Sequence, residues 1–138
     1  MRRSALVGCL ALLASCNRNA VPADSSGDTA PVSAVSSEES DRKAIDKLEA
    51  EARSIAKADG CVASSDCRAA PIGARGCGGP RDFIVYCVKS TDSASLARKI
   101  AAADSAEMAF NTKYKVVSTC ELRLPPEVAA SGGICAAK

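Results

Sequence analysis

Residues 61–88 read CVASSDCRAAPIGARGCGGPRDFIVYCV and carry four of the eight cysteines of the chain. An even number of cysteines in a short exported domain is typical of a disulfide framework. The glycines and proline of residues 76–80 predict a tight turn, with a strand before it over residues 69–74. After the turn, apolar residues on both faces of residues 83–88 predict a central strand. The segment therefore predicts two strands joined by an irregular turn, crosslinked by cysteines.

Downstream, the pattern changes to helical spacing and then back to alternation. Ser90 to Ser93 provide N-cap candidates for a helix over residues 93–112, with a core stripe of Leu96, Ile100, Ala103 and Phe110. Residues 116–124 alternate between apolar and polar side chains and predict a half-buried strand that ends before Pro125. A last short strand is expected around residues 134–136.

This order of elements predicts an α+β fold, a small disulfide-stabilised antiparallel sheet with one packed helix. Six cysteines fall in residues 61–138, the predicted cysteine-rich domain: Cys61, Cys67, Cys77, Cys87, Cys120 and Cys135. Six cysteines allow fifteen pairings, so the connectivity stays open. Cys87, mid-strand and facing inward, is the candidate for an unpaired thiol if a pairing is incomplete.

Residues 36–60 predict an amphipathic helix ahead of the cysteine-rich domain. Ser36 and Glu39 have capping-box spacing, and a narrow apolar seam follows at helical spacing, formed by Ile45, Leu48, Ala52 and Ile55. We expect this helix to lie on its own domain. A coiled-coil or partner-binding helix is the alternative, but there are few heptads to support it.

The first residues have the layout of an export signal. Met1-Arg2-Arg3 is basic, and Ala5 to Ala14 is apolar except for Gly8, a run too short to span a membrane. Leu13-Ala14-Ser15-Cys16 resembles a lipobox, the signal of bacterial lipoproteins. The resemblance implies removal of residues 1–15 and lipidation of Cys16 with palmitate-like chains, which would anchor the protein to a membrane.

The resemblance also indicates the location of the protein. Asn17 stands where enteric bacteria use Asp for inner-membrane retention, so the resemblance favours a cell-envelope protein of the outer membrane, facing the periplasm or the surface. Residues 16–35 carry Cys16 and lack any apolar period, and they predict a disordered linker.

Composition excludes several classes of function. The chain has no His, which removes Ser-His and Cys-His catalytic pairs and imidazole metal sites. No Cys-x-x-Cys pair occurs, so neither a zinc knuckle nor a thioredoxin-type site is supported. Arg2 and Arg3 leave with the signal, so the formal charge falls from +2 to zero and nucleic-acid binding has no electrostatic basis. We expect no cofactor and no metal.

The glycine-rich turn is the remaining candidate for ligand binding. It lacks the Lys-Ser/Thr ending of a phosphate-binding loop and precedes a strand rather than a helix. Arg75 and Arg81 flank the turn and are the candidate residues for a small anion-binding patch.

A second resemblance covers residues 61–138. The pattern Cys61-x5-Cys67, Cys77-Gly-Gly-Pro80 and Tyr86 is similar to that of uncharacterised small cysteine-rich envelope lipoproteins. In those proteins Ser often follows the tyrosine, where this chain has Cys87. The resemblance implies an envelope lipoprotein and no particular activity.

The predicted function is a lipid-anchored envelope protein whose domain is a non-catalytic binding or structural module, with an envelope protein as a possible partner. One alternative is an inhibitor of an envelope or foreign hydrolase, acting through loops 75–81 or 125–133. Another is an enzyme that uses carboxylates and arginine, with the candidates Asp82, Asp92, Glu121 and Arg123.

Overall fold

The computed structural model describes the backbone of residues 32–138 and the side chains of residues 37–138. Its elements are helix α1 Val32–Ile55, a 3₁₀ helix Ser64–Asp66, strands β1 Cys67–Ala74 and β2 Pro80–Cys87, helix α2 Ser93–Tyr114, and strands β3 Val128–Ser131 and β4 Ile134–Ala137. The predicted α+β class is confirmed. The predictions for residues 1–31, including the lipobox and Cys16, lie outside the described residues.

Two separate antiparallel hairpins replace the single sheet that we predicted. Strand β1 pairs with β2, and β3 pairs with β4. The turn between β1 and β2 closes with Gly78 N donating to the Arg75 carbonyl (2.9 Å) and Arg75 N donating to the Gly79 carbonyl (3.1 Å). Gly78 and Gly79 have φ values of +90° and +79°, which side chains beyond glycine rarely adopt. The strand predicted over residues 83–88 is present within β2, but its predicted central position is wrong, because β2 pairs with β1 alone.

Both faces of the first hairpin are nonetheless covered, which explains why both faces of β2 are apolar. On one face, Ile72 and Ile84 pack against Ala52 of α1 and Leu96 of α2. On the other face lies a cluster of four buried cysteines with Val85, Val128 and Ala130 packed against it. Covering by helices and disulfides produces the same sequence pattern as burial inside a larger sheet.

Helix α2 follows its predicted bounds closely, starting at residue 93 and ending two residues later than expected. Asp92 caps it, with its carboxylate accepting hydrogen bonds from Ser95 N (3.0 Å) and Ser95 Oγ (2.7 Å). Leu96, Ala103 and Phe110 are buried as predicted. The helix ends at Lys115, which has a left-handed conformation with φ 51°.

Helix α1 packs alongside α2 and buries Ile45 and Ala52. It begins at Val32, so the last four residues of the predicted linker are helical, and it ends at Ile55 rather than near Gly60. None of the described helices is long and apolar enough to cross a membrane.

Three disulfides join all six cysteines of the domain. Cys61–Cys87 and Cys67–Cys135 lie in the core, whereas Cys77–Cys120 joins two exposed positions. Cys87 is therefore bridged rather than free.

The predicted strand over residues 116–124 is wrong. Residues 116–127 belong to no helix or strand. The alternation of side chains indicated a half-buried strand, but Leu122 and Leu124 are exposed, and no strand lies beside them in the described part of the chain. The last strand is present as β4. Its partner β3 was missed because the Ala-rich residues 128–131 carry little strand preference.

Candidate functional site

An exposed segment next to the first hairpin is the most unusual surface of the molecule. We call residues 117–124 the pinned segment. Its backbone makes no helix, strand, turn or bend, and Val117, Leu122 and Leu124 expose 92%, 84% and 71% of their surface. Within residues 32–138, no backbone–backbone hydrogen bond ties residues 117–124 to the rest of the chain. Contiguous exposed apolar surface is typical of binding sites, and these three residues lie within eight positions of one another in sequence.

The Cys77–Cys120 disulfide attaches this segment to the turn of the first hairpin, with a Cα–Cα distance of 5.4 Å. Beside it, Cys77 N donates a hydrogen bond to Ser118 Oγ (3.1 Å). Where the segment leaves α2, Val116 N donates to the Asn111 carbonyl (3.0 Å). The segment is therefore held in place by side chains and a crosslink instead of by a strand ladder.

Arg75 supplies the second attachment. Its guanidinium donates hydrogen bonds to the Thr119 carbonyl, to Thr119 Oγ1 (3.3 Å) and to the Glu121 carbonyl (2.5 Å). One planar group thus holds two carbonyls that are two residues apart on the segment.

Gly76 allows the close approach between the turn and the segment. A Cβ atom at this position would lie 2.3 Å from the Val116 carbonyl oxygen, well inside van der Waals contact. Any larger residue would push residue 116 away from the turn, so this glycine is required by space rather than by its backbone angles.

An ionic cluster centred on the buried Glu107 lies between the helices and the hairpin. Glu107 of α2 is 3% exposed. One carboxylate oxygen accepts hydrogen bonds from Arg42 Nη1 (3.2 Å) and Arg81 Nε (3.0 Å), and the other accepts from Ala74 N (2.8 Å). Arg81 also forms an ion pair with Glu49. Each charge in this cluster faces an opposite charge, as a structural ionic core requires.

Arg75 and Arg81, the predicted anion-binding pair, therefore have separate partners. Arg75 holds backbone carbonyls of the pinned segment, and Arg81 is paired with carboxylates. Anion binding by these two residues stays a prediction, and an anion would compete with both sets of contacts.

An open groove of about 590 Å³ runs between the turn and α2. Asp104 lies on its wall and accepts a hydrogen bond from Gly73 N (2.7 Å). Burial raises the pKa of the Asp104 carboxyl, and the nearby charge of Glu107 adds to the effect, while the Gly73 hydrogen bond opposes it. The carboxylate anchors the hairpin to α2 from this wall.

The four residues considered for an enzymatic site are not joined to one another by any hydrogen bond or ion pair in residues 37–138. Asp82 is ion-paired with Arg53 at 2.6 Å, and this hydrogen bond is the main reason that its pKa is lowered. Asp92 caps α2. Glu121 and Arg123 are exposed on the pinned segment.

Among the described residues, the one group of possible metal ligands consists of Cys61, Cys67 and Cys135, whose sulfur atoms lie within 4.8 Å of one another. All three are in disulfides. Metal binding by cysteine requires thiolates, so the oxidised cluster has no ligand to offer.

The sequence analysis did not identify Glu107, although the helical stripe contains a signal for it. The buried positions of α2 are separated by seven, four and three residues, with the partly buried Ile100 in the longest interval, and position 107 falls on that stripe between Ala103 and Phe110. A lone acidic residue on an apolar stripe predicts a buried carboxylate that needs a cationic partner. Arg42 and Arg81 come from distant parts of the chain, so the partner itself was not predictable.

No family model, curated protein or solved structure matches the chain.

Proposed function

We propose that this chain is a lipid-anchored protein of the bacterial cell envelope, attached through Cys16, whose disulfide-stabilised domain binds a protein partner and catalyses no reaction. The lipobox-like residues 13–16 support the anchor, and the outer membrane is the proposed location. Removal of residues 1–15 would leave the domain on a linker facing an oxidising compartment, where disulfides form and persist.

The observation that carries the binding role is the pinned segment. It displays three large apolar side chains in water while a disulfide and Arg75 hold its backbone. Holding a surface rigid before binding reduces the entropy lost on association. In contrast, the carboxylates of the ionic cluster are paired with arginines and backbone amides, which suits stability rather than acid–base chemistry.

The anchor is tested by metabolic labelling with a fatty acid analogue. We expect the wild-type protein to incorporate label and Cys16→Ala to remain an unlabelled precursor. Normal maturation of Cys16→Ala would contradict the anchor.

The binding role is tested by placing a photo-crosslinking residue at Leu122 in living cells. We expect crosslinks to a defined envelope protein from position 122, and none from Val62, an equally exposed apolar control. Equal crosslinking from both positions would indicate nonspecific contact. Asp82→Asn, a change in β2 outside the segment, should leave the crosslink unchanged.

A further inference from the structure

The partner is best identified from the backbone of the pinned segment. We propose that the segment occupies the active-site cleft of an endopeptidase as a substrate-like inhibitor, with Leu122 in the primary specificity pocket. The proposal rests on the binding role proposed above and names its partner class.

The first argument is the direction of the peptide groups. Arg75 holds the carbonyls of Thr119 and Glu121, which are two residues apart and therefore lie on the same side of an extended chain. In an extended chain the peptide groups of Cys120 and Leu122 face the opposite side, and that edge is the one to which we assign the partner. This free edge can pair with another chain in the manner of an added β-strand.

The second argument is that this edge matches what a peptidase cleft requires. Peptidases bind an extended chain, pair with its backbone on one side and take one side chain into a pocket. Leu122 is 84% exposed and lies on the edge that the proposal assigns to pairing. The residue before it is held by Arg75, and the residue two before it is held by a disulfide. Arg75 and the disulfide thus hold the two residues that precede Leu122, on the N-terminal side of the proposed Leu122–Arg123 target bond.

The third argument explains why such a chain would inhibit and not simply be cut. A substrate is released because its two new ends separate after cleavage. Here Thr119, Cys120 and Glu121 stay attached to the hairpin, and residues 128–131 are paired in β3 on the far side. A rigid loop also loses little entropy on binding, so affinity is high for a small contact area.

The test uses the oxidised, lipidated protein in detergent, with chymotrypsin and subtilisin as probes because both accept leucine, and trypsin as the contrast. All variants carry Arg123→Gln, which removes the exposed basic side chain beside Leu122, and with it we expect inhibition of at least one of the first two and none of trypsin. Leu122→Gly should weaken inhibition about 100-fold, as expected for a central anchor residue. Val62→Gly, at an exposed apolar site away from the segment in sequence, should leave it unchanged.

The decisive variant is Leu122→Lys, which should transfer inhibition to trypsin, because trypsin selects a basic side chain in this pocket. Arg75→Met should weaken inhibition about 10-fold and speed cleavage at residue 122, since the backbone is no longer held. A merely structural role for Leu122 would not produce a switch in enzyme preference.

Three outcomes would overturn the proposal: no inhibition of either leucine-accepting enzyme at tens of micromolar, rapid cleavage of the segment, or a dimer that Leu122→Lys dissociates without any inhibition. If crosslinking from position 122 persists while inhibition is absent, the binding role stands and the peptidase assignment fails. If neither is seen, both fail.

Discussion

Glu107 provides the sharpest test of how the domain is held together. The change is Glu107→Gln, which keeps the size of the side chain and an oxygen for Ala74 N but removes the charge. Arg42 and Arg81 then lose the carboxylate that they share. We expect a large loss of stability with no change in the fold.

The magnitude follows from burial. Removing one partner of a buried ion pair typically destabilises a protein by 3–5 kcal/mol. The side chains of Arg42 and Arg81 are 37% and 43% exposed, so their charges can rehydrate, and we place the loss at the lower end, about 3 kcal/mol. For a domain of this size that corresponds to a fall in Tm of about 12 °C or more.

The assay is urea unfolding of the oxidised protein, followed by far-UV circular dichroism since the chain has no Trp. The matched control is Glu51→Gln, which breaks the more exposed ion pair with Lys99 and should leave the unfolding midpoint unchanged within error. A loss below about 0.5 kcal/mol for Glu107→Gln would refute the reasoning, because the cluster would then contribute no more than a surface ion pair.

Three further predictions concern the wall of the groove and the pinned segment. Relative to wild type, Asp104→Asn should gain stability as pH rises from about 3.9, the unfolded-state pKa of Asp, through the raised pKa of folded Asp104, and the difference should then level off; a pH-independent difference in urea midpoint would contradict this. Gly76→Ala should lower the Tm because the added Cβ clashes with the Val116 carbonyl. Gly78→Ala meets no atom within 4 Å, so its only cost is the φ of +90°. Limited proteolysis should therefore reveal a displaced segment in the Gly76→Ala variant and not in the Gly78→Ala variant. Replacing Cys77 and Cys120 together by Ser should lower the free energy of unfolding by about 4 kcal/mol for a crosslink spanning 43 residues, while the two core disulfides still form; a mass that shows fewer than two remaining bridges would contradict the independence of the third.

Local patterns predicted the elements whose formation depends on nearby residues. The apolar stripe of α2 predicted its buried positions Leu96, Ala103 and Phe110. The glycines and proline of residues 76–80 predicted the turn between β1 and β2. Both rely on backbone preferences and periodic burial, which a single sequence records directly. The hairpin register then places Cys67 opposite Cys87, although each forms its disulfide with a different cysteine.

The predictions that were wrong concern features that depend on contacts between residues distant in sequence. The sequence alone does not distinguish among the fifteen possible pairings of six cysteines. The observed pairing depends on how β4 packs near β2. Residues 116–124 alternate like a strand, but a strand exists only with a partner, and Arg75 and Cys77 hold this segment where no partner strand lies among the described residues. An alternating pattern of apolar and polar side chains is therefore not enough to predict a paired strand.

The third disulfide lies in a different environment from the other two. Cys61–Cys87 and Cys67–Cys135 are buried and form part of the core that they crosslink. Cys77–Cys120 has no core around it and holds Leu122 and Leu124 in solvent, where each forgoes about 1.5–3 kcal/mol of burial. A partner that covers the two leucines would recover this free energy, which is why the proposed binding role places its surface on this segment.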